Sequence, residues 1–263
     1  MEATTMLTYS FGLAIFFYIL ELLFVYLNKI ALKAYFKGKE DNKKINNIAY
    51  LASARIVGSL HNLVQIPIGI YILLNKDFRN DRVHHTSDLS YFMTIVSSGY
   101  FLYDMFICIK RFHLEGPAYT IHAVMCFTSY IYGGCTGLIH YHGAAFLMWE
   151  TSTPFVHLRW IMYKLKLDHT KVYAINGACM VISFFLARIV WGYYSCYILV
   201  SDIVLEQLKP VKSFPIVATV IYCFATVVMS ALNTVWFYKM AKKATDVLFK
   251  GKKFTEIGND KDE

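Results

Sequence analysis

Side chains able to do chemistry sit in this sequence where hydrocarbon should exclude them. Arg55, His61, Asp104, His122, Glu150, His157, Arg159, Arg188 and Asn233 all fall inside long apolar runs. An ionisable group within a membrane span is costly, so it normally faces the protein interior or a wet cavity, paired with a group of its own kind. The densest stretch is 116–160, GPAYTIHAVMCFTSYIYGGCTGLIHYHGAAFLMWETSTPFVHLRW. Two apolar helical spans are separated there only by HYHG, with His122 in the first and Glu150 and His157 in the second. A neutral imidazole serves as base or nucleophile near neutral pH. A carboxylate such as Asp104 would orient such a ring and stabilise its cation. The guanidinium of Arg55 or Arg159 offers a planar fork that fits phosphate.

The elements that must position these groups are membrane helices. The 263 residues are 57% hydrophobic and only 17% charged, with a mean hydropathy of +0.42. A soluble domain carries about 25% charged residues. The charge present is confined to short segments between apolar runs, which leaves no room for a separate soluble domain. The fold class is therefore all-α and polytopic. Seven spans are expected near 9–28, 48–74, 88–109, 117–138, 142–163, 172–200 and 214–238, each long enough for ~30 Å of hydrocarbon at ~1.5 Å per residue. The first lacks a basic leader and a cleavage site, so a retained helix is expected. Its Glu21 is the one awkward residue.

Loop charge sets an orientation. Eighteen of the 26 Lys and Arg residues fall on the side of loop 29–47, Lys110–Arg111, 164–171 and the tail; five lie on the other side. The positive-inside rule then places the N-terminus in the lumen and the C-terminus in the cytosol. The same rule accounts for the net charge of +8, so nucleic acid is not an expected partner. On this orientation most intramembrane polar groups occupy the middle-to-cytosolic half, which predicts a cavity reached from the cytosol. Helical periodicity aligns Arg55, Ser59, Asn62, Gln65 and Gly69 on one stripe. It likewise aligns His122, Cys126, Ser129 and Gly133, and Gly143, Glu150, Pro154 and His157. Pro67 and Pro154 are expected to kink their helices. Ordinary packing through small and polar residues would give the same stripes.

Six segments in order carry a family resemblance: SARIVGSLHN, SSGYFLYD, His122, WETSTPFVHLRW, FFLARI and LNTVWFYKM. Together they resemble the TLC domain of the TRAM, Lag1 and Cln-type membrane proteins over about residues 45 to 245. The resemblance implies a six-helix TLC bundle around a polar or lipid cavity, preceded by one extra span and usually found in the endoplasmic reticulum. The expected division is 1–44 for the N-terminal helix and basic loop, 45–245 for the TLC domain and 246–263 for a charged tail. The ceramide synthases of this family join an acyl group from acyl-CoA to a sphingoid amine, using an adjacent histidine pair. His122 matches the second histidine, while Ile121 stands in place of the first.

Two functions follow from the resemblance. One is a lipid-homeostasis protein that binds or senses acyl lipids in its bundle. The other is an acyl-CoA-dependent N-acyltransferase using a single histidine, His122 assisted by Asp104. The expected lipid-binding set is Arg55, His61, Glu150, His157, Arg159, Arg188 and Asn233. Membrane lipids are the expected partners, with acyl-CoA and a sphingoid base as co-substrates of the enzyme reading; a homodimer is left open. No resident cofactor or metal is expected. The alternative for these residues is structural, with Arg55–Asp104 and Glu150–Arg188 as ion pairs between helices. A seven-helix receptor is disfavoured, since neither a DRY-like nor an NPxxY-like sequence appears. The six cysteines lie in apolar spans without CxxC spacing and read as buried thiols. His84, His85, His113, His140, His142 and His169 fall in loops or at interfaces and read as bystanders. Gly133–Gly137 is no phosphate loop, since no GK[ST] follows.

Overall fold

The computed structural model describes residues 1–211 and 213–250, the last four as backbone only. Of the expected charged tail at 246–263, residues 251–263 lie outside the described residues. All regular structure among them is helical. The first two helices are α1 (Ala3–Phe36) and α2 (Asn42–Leu74), followed by the short α3 (Lys76–Asn80). Lys37 (φ 48°) and Gly38 (φ 74°) end α1 in the left-handed region, and the Lys37 N–H returns to the Lys33 carbonyl. Asn75 ends α2 and caps α3, its side chain accepting from the Asp77 and Phe78 N–H groups.

The next hairpin pairs α4 (Asp88–Lys110) with α5 (Phe112–Thr136). Ser87 and Ser90 form a reciprocal capping box at the start of α4. Gly116 (φ 79°, ψ 175°) breaks α5 near its start, and Pro117 opens the straight part, where its missing N–H costs no hydrogen bond. Gly137 (φ 68°) closes α5, its N–H bonded to the Gly133 carbonyl at 2.8 Å. The fifth segment is divided into α6 (His140–Leu147), a 3₁₀ turn (Met148–Ser152) and α7 (Thr153–Lys164). Pro154 sits in the first turn of α7, so the break falls just before it, on the turn that carries Glu150. The helix α2 instead runs unbroken through Pro67. The sixth segment is α8 (Lys171–Phe184), a π-helical turn (Phe185–Val190) and α9 (Trp191–Leu208), and α10 (Ile216–Lys250) is last.

Among the described residues, five helices are long and apolar enough to cross a membrane: Ala3–Phe36, Asn42–Leu74, Asp88–Lys110, Lys171–Leu208 and Ile216–Asp246. The chain is a polytopic membrane protein. The stretches expected as the fourth and fifth spans are helical but fall outside this set of five. One is diluted by His122 and its run of small and hydroxyl residues, and the other is cut into pieces of 8, 5 and 12 residues.

The helix α1 lies along α4 and α2. Its approach to α4 is close at Gly99, where an added Cβ would stand 2.6 Å from Leu13 Cβ and 2.9 Å from the Ser10 carbonyl oxygen. The loops gather at two ends. At the lysine-rich end Tyr35 donates to the Leu165 carbonyl at 3.0 Å, and Glu40 pairs with both Lys44 and Lys166. Those two ammonium groups hold the Glu40 carboxyl below its ordinary range. At the opposite end the Ile139 N–H donates to the Val83 carbonyl at 2.7 Å. Arg82 there forms a two-pronged pair with Asp202, which raises the already high pKa of its guanidinium.

Candidate functional site

A cavity of about 80 Å³ lies among α4, α5, α6, α9 and α10. His122 and Glu150 stand in its wall. From them it follows Cys126, Ser129 and Gly133 along α5, and Met229, Ala225 and Tyr222 along α10, to Ile139 and His140. The separation from His122 to Gly133 corresponds to about 17 Å of helix. Most of the remaining wall is Phe101, Met125, Tyr130, Phe146, Leu147 and Leu199, so the space is mainly apolar, with its one carboxylate, Glu150, at the His122 end.

That polar end is built on two irregular turns. The 3₁₀ turn presents Glu150, and the π-helical turn presents Arg188. Such π turns recur at functional sites because they displace a side chain from regular helical register. Arg188 Nη2 lies 3.0 Å from Glu150 Oε1 and 2.9 Å from Thr153 Oγ1. Its Nη1 donates to Asn233 Oδ1 at 3.2 Å, and its Nε is 3.1 Å from both the Trp149 carbonyl oxygen and Ser152 Oγ. Glu150 Oε2 accepts from the Thr153 hydroxyl at 2.6 Å. Every guanidinium nitrogen is engaged and the two charges offset each other. The cavity therefore ends in a neutral, hydrogen-bonding group of residues rather than a bare charge.

His122 completes this end. Its Nε2 is 3.6 Å from Cys126 Sγ, one helical turn further along α5. Its Nδ1 is buried without a hydrogen-bond partner. The ring lies between Phe101 (centroids 6.5 Å apart) and Trp236 (5.8 Å), and Trp236 stacks on Tyr119 at 5.5 Å.

The other expected site residues are distributed differently. His61 is buried outside the cavity wall, stacked on Tyr100 at 4.1 Å with Nδ1 3.1 Å from Asn62 Oδ1. The Phe101 ring neighbours both His61 (5.7 Å) and His122 (6.5 Å). Asp104 makes no hydrogen bond to His122 among the described residues; its carboxyl is 3.9 Å from Cys108 Sγ. The expected His122–Asp104 pairing is therefore absent among the described residues. Arg55 pairs with Glu115 (3.9 Å) and lies over the Trp160 ring (4.1 Å), with the Asp104 carboxyl within electrostatic range but not in a direct ion pair. His157 shares a hydrogen bond with Ser59 of α2 at 3.0 Å. Arg159 lies over Tyr173 at 4.2 Å, with Nη1 against Gly177, in the α7–α8 seam. Of the expected residues, the structure thus puts His122 and Glu150 in the cavity wall, with Arg188 and Asn233 joined to Glu150 behind it, and leaves His61, Asp104, Arg55, His157 and Arg159 outside the wall.

Two further expectations are corrected. The cavity extends from His122 away from the lysine-rich end, because Tyr119 and Trp236 stack on that side while Ser129, Gly133 and Gly143 leave space on the other. His140 and His142 are not bystanders at an interface: each is 1% exposed. His140 Nδ1 is 2.7 Å from Ser90 Oγ, and His142 Nε2 is 2.9 Å from Asp202 Oδ2. Asp202 sits just past the expected end of the sixth span, so sequence reading passed over it. An isolated carboxylate two residues beyond an apolar run was the available signal.

These features define a polytopic helical membrane protein with an internal, largely apolar cavity ending in a neutralised ion pair and a histidine. The chain belongs to the TLC domain family, which residues 52–242 match. It is similar to TLC domain-containing protein 4-B of Xenopus laevis, 30% identical over 203 residues covering 75% of each chain. It is also similar to human TLC domain-containing protein 4, 27% identical over 205 residues covering 74% of each. A third relative is an uncharacterized TLC domain-containing protein of Schizosaccharomyces pombe, 27% identical over 187 residues. That match covers 71% of this chain and 63% of the fission-yeast protein, less than two thirds of its length. No solved structure matches the chain.

Proposed function

We propose that this protein takes part in lipid homeostasis by binding or sensing an acyl lipid inside its helix bundle. The observation that carries this reading is the cavity: a mainly apolar space following about 17 Å of α5, with its one carboxylate, Glu150, beside His122 at one end. An acyl chain with a compact polar head matches that division, since its methylenes leave water for apolar walls while the head meets His122 and Glu150. In this reading the protein crosses the membrane seven times, α5 and the divided fifth segment serving as the fourth and fifth spans. Residues 45–245 form the lipid-handling bundle. The lysine-rich end faces the cytosol, with the N-terminus lumenal and the endoplasmic reticulum as the compartment.

The second reading is an acyl-CoA-dependent N-acyltransferase of the ceramide synthase type. It is favoured by one observation, the unpartnered Nδ1 of His122 at the cavity wall. Mass spectrometry of the purified protein tests the first reading: a defined set of co-purifying fatty acyl species is expected, and a lipid profile no different from bulk detergent extract would refute it. Sphingoid-base acylation in microsomes tests the second, which requires activity in the wild type and its loss in His122→Ala.

A further inference from the structure

We propose that Cys126 is an acyl-accepting nucleophile, activated by His122, which takes a long acyl chain from acyl-CoA as a thioester within the cavity. The proposal rests on the acyl-binding reading and adds a covalent step to it.

Cys126 is the one cysteine in the cavity wall among the described residues. Cys108 and Cys196 are buried elsewhere, against Asp104 and Ser230, and Cys179 is exposed on α8. The four-residue spacing of His122 and Cys126 places them on one face of α5, with Nε2 3.6 Å from Sγ. With the neutral ring protonated on Nδ1, Nε2 presents its lone pair to the thiol. A thiol beside an imidazole base is the arrangement that makes sulfur nucleophilic. Glu150 shares this wall and supplies a carboxylate near the ring when it becomes cationic.

The step balances without any further reactant. His122 accepts the Cys126 proton and sulfur attacks the acyl carbonyl carbon. The tetrahedral species collapses, the bond from that carbon to the CoA sulfur breaks, and His122 returns the proton to the departing thiolate. One thioester replaces another and no redox change occurs. The acyl tail then follows Ser129 and Gly133 toward Ile139, the direction in which the cavity runs. The charged nucleotide of the acyl-CoA stays outside the apolar wall.

The test incubates the purified full-length protein in detergent with palmitoyl-CoA, followed by peptide mass spectrometry with and without neutral hydroxylamine. One palmitoyl adduct on the peptide containing Cys126, removed by hydroxylamine, is expected. It should vanish in Cys126→Ala, persist in Cys179→Ala and form about 100-fold more slowly in His122→Gln, the scale of a lost general base. An adduct that survives in Cys126→Ala, or that maps to Cys179, overturns the proposal. Retention of a fluorescent fatty acyl probe is measured on the same preparations. Wild-type protein that holds the probe yet forms no adduct refutes the thioester and leaves acyl binding intact; failure of both refutes both. Should Cys126→Ala fail to fold, Cys126→Ser keeps the side-chain size. It must then bind the probe and carry no hydroxylamine-labile adduct.

Discussion

Arg188 and Glu150 meet at 3.0 Å, 38 residues apart in sequence, each held on an irregular helical turn. Replacing one partner of such a buried pair leaves the other charged and uncompensated, at a cost of about 3–5 kcal/mol. Arg188→Met alone is expected to destabilise the detergent-solubilised protein on that scale. The double replacement Arg188→Met with Glu150→Leu should recover much of the loss. Thermal unfolding of the three proteins checks this, and equal loss in single and double variants would contradict the pairing.

A second buried constellation ties the opposite end together. Asp202 accepts from Arg82 through two bonds and lies 2.9 Å from His142 Nε2. Asp202→Ala removes the acceptor for both, leaving the buried His142 ring unsatisfied, and is expected to destabilise the fold by about 1–3 kcal/mol. Arg82→Ala should cost less, because Arg82 is partly exposed and His142 remains to pair with the carboxylate. Unfolding midpoints that rank the other way would argue against a shared acceptor.

The loop contact at Glu40 has a pH signature. Lys166 and Lys44 lower its carboxyl below the ordinary value of 4.5, so the ionised form stabilises the folded state. That contribution is present above 4.5 and is lost as pH falls through the lower folded value. The pair lies at the surface with exposed lysine partners, so the effect should be small and should weaken with salt. The difference in melting temperature between wild type and Glu40→Gln is expected to shrink as pH drops below 4.5. A difference unchanged by acid would rule the ion pairs out as its source.

Filling the cavity should displace whatever occupies it. Ser129 lines the cavity between α5 and α10, and Ser129→Phe adds a ring to that space. Overpacking of this kind costs about 1–3 kcal/mol. The folded variant is expected to retain several-fold less acyl lipid on purification than the wild type, by quantitative mass spectrometry. Equal retention would place the lipid elsewhere.

The sequence by itself determined the class of protein. Long apolar runs have no stable alternative to membrane helices, because every backbone polar group must be satisfied within the segment. Local spacing also placed His122 with Cys126, since four residues always return to one helical face. It marked Glu150 and Arg188 as charges needing partners, and the structure gives each to the other.

Only the tertiary structure decided which faces meet. Periodicity fixes a residue's azimuth on its own helix and is blind to that helix's rotation against its neighbours. His157 thus bonds Ser59 of α2, and Arg159, two residues on, faces Tyr173 of α8. Asp104 likewise bonds Cys108 on its own helix rather than His122. The direction of the cavity was equally hidden, because it depends on where bulk is missing between helices: at Ser129, Gly133 and Gly143, and not beneath Tyr119 and Trp236.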